Sequence, residues 1–424
     1  MRMKLSLLFT VIALALSAMS AQAQTTLNTV PEGVVTISLP PAPSTTYVSL
    51  PLTADPSYRG IVSSVIPVTS TTIAVDDSPA PWTGINLANL YFVKFLSGAE
   101  MGRVVLVTSN TASSLTLDTS DNSTGQVVNL TTSGFTVAAG DSFEVFPADT
   151  LGSVFGEYPT QAGTWTGTTT AVTLSAANPS IMVGATVTGT GIAAGTTVSA
   201  ISGTSLTLST STTASGNGVT LSFTGAVQLF LNGAGDYLDA DVVSFYNPSM
   251  FKFQSYYFNT TAGHWELKTS SANANNTILY PYGALTIFRE SGATALSFPV
   301  IGRIAEVPVL TKVGTNNAAY GSSGYPVDLT LSQINLGANW QTASDYLDAD
   351  ILSVYTPSAF KFVSYYQLPS STSWHTKSGS TDVSNSVTIH AGDVITLFQT
   401  NTVSGAQSFL SPAMPYTFPT NTPF

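Results

Sequence analysis

The chain has 424 residues, of which 43% are hydrophobic and only 8% charged, with no cysteine and a formal net charge of −11. That balance excludes a disordered chain, in which hydrophobicity is low and charge high, and leaves disulfides out of whatever holds the fold together. The acidic surface argues against nucleic acid and anionic membranes as partners, since both repel negative charge, and leaves divalent cations as plausible small partners.

Residues 1–23 read as a secretory signal peptide. Arg2 and Lys4 make a positive start, and Leu5–Met19 form an apolar run of 15 residues. That run is shorter than the roughly 20 residues a membrane helix needs. Ala21-Gln22-Ala23 is a small-x-small cleavage site, so the mature chain is expected to begin at Gln24. Losing Arg2 and Lys4 takes the formal charge to −13. The expected location is secreted: the cell surface, the periplasm or the extracellular space. No later segment reaches transmembrane length.

From there on the pattern is alternation. Runs such as Arg103-Val104-Val105-Leu106-Val107 and Phe143-Glu144-Val145-Phe146 are closed by Gly, Asn, Asp or Pro, which marks strands joined by turns. The reading is all-β: several antiparallel sandwich or barrel units with an internal duplication. Residues 24–149 form a first β domain, with strands expected at 46–52, 60–67, 90–96, 103–108, 114–118 and 141–147. Residues 150–310 form a first repeat unit, interrupted by an insert at 158–224. A linker at 311–327 leads to a second unit at 328–424.

The insert has no Lys, Arg, Asp or Glu and is dominated by Thr, Ser, Gly, Ala and Val. Its run Val183-Gly184-Ala185-Thr186-Val187-Thr188-Gly189-Thr190-Gly191 and the later Leu206-Thr207-Leu208 resemble a small β module of phage tail fibres and bacterial surface proteins. The resemblance implies a stalk or spacer.

Two stretches 109 residues apart are near-copies. Asp236–Phe258 reads DYLDADVVSFYNPSMFKFQSYYF, and Asp345–Gln367 reads DYLDADILSVYTPSAFKFVSYYQ. Trp265 recurs as Trp374 at the same spacing. Thr150-Leu151-Gly152-Ser153-Val154 before the insert is matched by Thr330-Leu331-Ser332-Gln333-Ile334 before the second copy, so the insert splits the first unit.

Ser49-Leu50-Pro51-Leu52, Phe95-Leu96-Ser97-Gly98-Ala99-Glu100-Met101-Gly102-Arg103 and Ala139-Gly140-Asp141-Ser142-Phe143, together with the Tyr-Tyr…Trp cassettes, resemble an uncharacterised family of secreted proteins from Verrucomicrobia and related bacteria. The resemblance implies source and location and carries no activity.

Two constellations are candidate sites. Asp236, Asp239 and Asp241, repeated as Asp345, Asp348 and Asp350, could hold calcium, a hard cation that takes several carboxylate oxygens. The competing reading is an Asp-rich turn leading into a strand. Tyr257, Trp265, Tyr366 and Trp374 either fill a core or stack on sugar rings. His264, His375 and His390 do not occupy equivalent positions, which argues for exposed strand histidines and against a shared catalytic role. Gly-x-Ser-x-Gly and His-Glu-x-x-His are missing from the sequence. The expected protein is therefore a non-catalytic structural or adhesive component of the envelope or extracellular matrix, with self-assembly or surface polysaccharide as its partners. The alternative is a carbohydrate-binding protein, and after it an enzyme of unrecognised type.

Overall fold

A computed structural model describes residues 31–416, apart from 67–69, 76–79, 120–128, 133–134, 179–180, 225–228, 248–251, 291, 314–318, 337–339, 357–360, 370–372, 401–407, 411 and 413. The signal peptide lies outside the described residues. As the alternation predicted, the regular structure of the described residues is almost wholly antiparallel strand.

β1 (Glu32–Leu39) and β2 (Ser44–Ser49) come first. A first barrel follows, from β3 (Tyr58–Ile66), β4 (Thr72–Val75), β5 (Tyr91–Phe95), β6 (Val104–Asn110), β7 (Ser114–Leu117) and, after the ribbon of β8 (Thr131–Thr132) and β9 (Phe135–Thr136), β10 (Ser142–Pro147). These close in the order β10-β3-β4-β7-β6-β5. Alternate residues point inward, and Val62, Ile73, Val93, Phe95, Val107, Leu115, Phe143 and Val145 make the core.

β11 (Asp149–Thr150) leads into the five-residue helix α1 (Leu151–Phe155). Thr150 caps it: its Oγ1 accepts from Ser153 N at 3.1 Å, while Ser153 Oγ accepts from Thr150 N at 2.8 Å. The uncharged stretch then supplies β12 (Thr160–Trp165), β13 (Ala171–Leu174), β14 (Thr186–Thr188), β15 (Val198–Ser202), β16 (Ser205–Leu208) and β17 (Gly216–Thr224). Their order is β14-β17-β12-β13-β16-β15. A Thr186↔Thr197 bridge and the Val187 N to Thr196 O bond join the two ends. Taken around the ring, this is the strand order of the first barrel. One irregularity agrees as well. In the first barrel Val107↔Leu117 shifts to Ser109↔Thr116, and in the second Val198↔Leu208 shifts to Ala200↔Thr207.

The chain then forms β18 (Val242–Asn247), β19 (Lys252–Asn259), β20 (His264–Leu267), β21 (Ser270–Asn273), β22 (Ile278–Leu279), β23 (Ala284–Arg289) and β24 (Leu296–Arg303). The first cassette sheet runs β2-β23-β18-β19-β20-β21, while β1 pairs with β24 and β11 with β22. The second half supplies β25 (Thr311–Val313), β26 (Ala319–Gly321), β27 (Leu329–Thr330), a 3-10 turn (Leu331–Gln333), β28 (Ile351–Thr356), β29 (Lys361–Gln367), β30 (Trp374–Thr376), β31 (Thr388–Ile389), β32 (Ile395–Phe398) and β33 (Ser408–Leu410). Its sheet runs β26-β32-β28-β29-β30, with β25 on β33 and β27 on β31.

The two cassettes thus hold matching places in two sheets of matching order. β1 and β2 precede the first barrel in sequence but pair with strands that follow it. Both barrels are therefore set into the first cassette unit, one between β2 and β11 and the other between α1 and β18. Residues 311–327, read as a linker, supply β25 and β26 in the positions that β1 and β2 hold in the first unit. Three-residue strands carry too little alternation to be seen, and their partners lie far away in sequence. The two sheets also touch reciprocally. Ser49 N donates to Gly392 O at 2.9 Å, and Gly283 forms an antiparallel bridge with Gly321. Tyr47 packs on Tyr355 and Phe362 at ring distances of 4.8 and 5.0 Å.

Candidate functional site

Each cassette opens with a turn made by its first aspartate. Asp236 Oδ1 accepts from Leu238 N at 2.9 Å, and Asp345 Oδ1 from Leu347 N at 2.8 Å. The third aspartate is buried. Asp241 is 0% exposed and accepts from Asn232 N at 3.0 Å and Glu290 N at 2.9 Å, with Arg289 Nε 2.9 Å away. Asp350 accepts from Gln341 N and Thr400 N, both at 2.8 Å, and from Thr400 Oγ1 at 3.0 Å. Each carboxylate therefore clamps the loop before its cassette to the end of β23 or β32. Asp239 and Asp348 stay exposed. The aspartates do not converge as a calcium shell would require. Among the described residues no three acidic or histidine side chains form a group able to hold a metal ion.

The tryptophans face the cores. Trp265 is 0% and Trp374 1% exposed. Trp265 Nε1 donates to Gly156 O at 2.7 Å, and its ring packs on Phe155 and Phe258. In the hairpin it pairs with Phe258 rather than a tyrosine. Neither indole is open to a ligand. Pleating sends Tyr257 and Tyr366 to the opposite face from these cores. There they meet Tyr237 and Tyr346 at ring distances of 6.3 and 5.9 Å. Lys268 lies over Tyr237 at 4.3 Å, and Lys377 over Tyr346 at 5.0 Å.

Each tip is thus a Tyr-Tyr-Lys stack beside an exposed leucine, Leu238 at 63% or Leu347 at 76%. Reasoning from the sequence missed the lysines, although each follows its tyrosine at the same spacing. Beneath the stack the copies differ. Tyr257 OH donates to Glu266 Oε2 at 2.7 Å and Asn259 Nδ2 donates to the same oxygen at 3.0 Å. Burial alone would raise the Glu266 pKa, but these donors and His264 outweigh it and hold the carboxyl below its ordinary value. The second copy has His375 in this place, buried, with Nε2 3.2 Å from Ser373 Oγ. Of the histidines expected to be exposed, only His390 is; His264 is half-buried.

A second constellation lies where the first barrel meets the first cassette unit. Cross-strand pairing puts Arg59, Glu144 and Lys94 in one row over β3, β10 and β5. Arg59 Nη2 reaches Glu144 at 3.1 Å and Glu306 at 2.7 Å, and Arg303 pairs with both glutamates. Lys94 is 2% exposed, with Nζ 3.4 Å from Tyr282 OH. Burial pushes the Lys94 ammonium down and the Glu144 carboxyl up, each opposed by the other's charge. Tyr282 sits at φ 61, a left-handed conformation costly for a bulky residue. The residue before β32 that matches it is Gly392, at φ 87. The strained tyrosine stands where it can cap Lys94.

No family model matches the chain, and no match was found among curated proteins or among solved structures.

Proposed function

We propose that the protein is a secreted, non-catalytic structural or adhesive component of the cell envelope or extracellular matrix. The observation that carries this reading is the design of the two barrels. One is anchored on a duplicated framework by buried ion pairs. The other draws its core wholly from its own residues, Trp165 to Phe223, and has no ionisable lysine, arginine or acid in its sequence. Such an arrangement suits rigid units that present surfaces. The ionisable groups singled out in the cassettes support it too, since Asp241 and Asp350 have their oxygens taken up in bracing loops. The resemblance to secreted verrucomicrobial proteins and the signal sequence support the location.

The test is to express the full chain in a Gram-negative host, fractionate the cells and sequence the mature N-terminus. A chain beginning at Gln24 in the envelope or medium is expected. An unprocessed chain kept in the cytoplasm would overturn the reading. The sugar-binding alternative loses its indole platforms, because both rings are closed in.

A further inference from the structure

Several residues shared by the two cassettes have a structural task. Asp236 and Asp345 close turns, and Asp241 and Asp350 clamp loops. Ala240 and Ala349 are 0% exposed. Hydroxyl pairs Ser244–Ser255 and Ser353–Ser364, at 2.8 and 2.9 Å, bridge neighbouring strands. Leu238 and Leu347 have no such task. They are among the most exposed large apolar residues of the chain, and folding would proceed as well with a polar residue there. A lone exposed leucine is ordinary. The same leucine at the same tip in both copies, in a hexapeptide whose first and last aspartates and alanine are structural, points to a contact. Phe288 and Phe398, 39% and 42% exposed, lie at the same ends of their sheets, opposite Val242 and Ile351.

We propose that the two tips are homotypic docking points by which one copy of this chain binds the next. The proposal rests on the structural reading above and names its partner. Each tip carries an apolar centre with both signs of charge beside it: exposed Asp236 and Asp239 next to Leu238, and Lys268 stacked on the intervening Tyr237. The second tip repeats this with Asp345, Asp348, Leu347 and Lys377. Two such patches related by a two-fold axis set the lysine of each against the aspartates of the other, around facing leucines, in a self-complementary contact. A mature chain of net charge −13 repels its own copies elsewhere, so a patch with its own cation is where they can approach. Two tips on one chain make the array open-ended. Each contact is small, in the weak class below about 1,200 Å², so assembly depends on concentration and on several contacts acting together.

Sedimentation velocity of the chain from Gln24 onward, between about 10 µM and about 1 mM, a range suited to weak contacts, is the test. The wild type should grow beyond dimers as concentration rises, and less so in high salt. Leu238→Asp or Leu347→Asp alone should stop growth at dimers, since one tip remains. The double variant should stay monomeric with an unchanged circular dichroism spectrum and Tm, because both side chains are exposed. A wild type that stays monomeric throughout, or single variants that grow like the wild type, would overturn the proposal. So would leucine-dependent co-sedimentation with phosphatidylcholine vesicles without self-association, which would make lipid the occupant. Loss of assembly in a chain that still reaches the envelope leaves the structural reading standing, whereas assembly by a chain confined to the cytoplasm does the reverse.

Discussion

The two barrels share strand order and register but differ in what surrounds them. In the first, the outward row Arg59, Glu144 and Lys94 meets Arg303, Glu306 and Tyr282, and Phe92, Leu106 and Phe146 pack on Ile278 and Tyr280. The registers put Thr160, Ser222 and Thr188 in place of the charged row, and Thr186, Thr197 and Thr224 in place of the apolar patch. One architecture is thus docked or free-standing according to the outward half of its strands, while the inward half stays apolar in both. Threonine and serine keep strand propensity and water contact without asking for a partner. Phenylalanine and a buried charge do ask for one.

Excision should break the symmetry most. Residues 158–224, whose ends lie side by side through Thr160↔Ser222, are expected to fold alone, with a cooperative thermal transition by circular dichroism. Residues 57–148 alone would expose Phe92, Leu106, Phe146 and Lys94, and are expected to associate or precipitate on size exclusion. A soluble monomer from the second fragment would mean the docking surface is not what separates the barrels.

Next in size is Glu144→Gln. It leaves Arg303 and Lys94 buried without their shared anion, and breaking such a pair costs about 3–5 kcal/mol. The matching change in the second barrel, Ser222→Ala, should stay within about 0.5 kcal/mol. Urea titrations of both variants compare the two directly.

A smaller effect contrasts the two cassette units. Asp149 is half-buried on β11, where β27 has the buried Leu329. Burial raises its pKa from 3.8 to about 6. The folded chain therefore takes up a proton that the unfolded chain does not. This contribution to stability is fully present below pH 3.8 and is lost as pH rises through about 6, with a ceiling of about 3 kcal/mol. Between pH 7.5 and 5 the wild type should gain stability, and Asp149→Asn should flatten that part of the curve. An unchanged slope in the variant would assign the pH dependence elsewhere.

The smallest effect belongs to Lys94→Met. It removes a desolvated ammonium and leaves Arg59 and Arg303 against Glu144 and Glu306. Replacing a buried charge with an apolar side chain of similar length should cost no more than about 1 kcal/mol and could be stabilising. A loss as large as that of Glu144→Gln would make Lys94 an obligatory anchor.

Much of this architecture was legible from local pattern. Alternation and turn residues are properties of a few consecutive positions, so the all-β class, most strands of the first barrel and the recurrence of the cassettes could be read directly. Spacing also placed Trp265 and Trp374 in matching positions. Three Asp in six residues could not be told apart by type: whether each is turn-former, clamp or free carboxylate depends on Asn232, Glu290, Gln341 and Thr400 arriving from elsewhere in the chain.

The sequence alone determined that the chain is built from strands, that one stretch is uncharged and that one cassette occurs twice, because these follow from neighbouring residues. Tertiary structure alone decided that β1 and β2 reach across a whole barrel to their partners, that the indoles turn inward, and that Lys94 lies buried beside a strained tyrosine. Those outcomes depend on hydrogen bonds, packing and charge between residues far apart in the chain, and no local pattern encodes them.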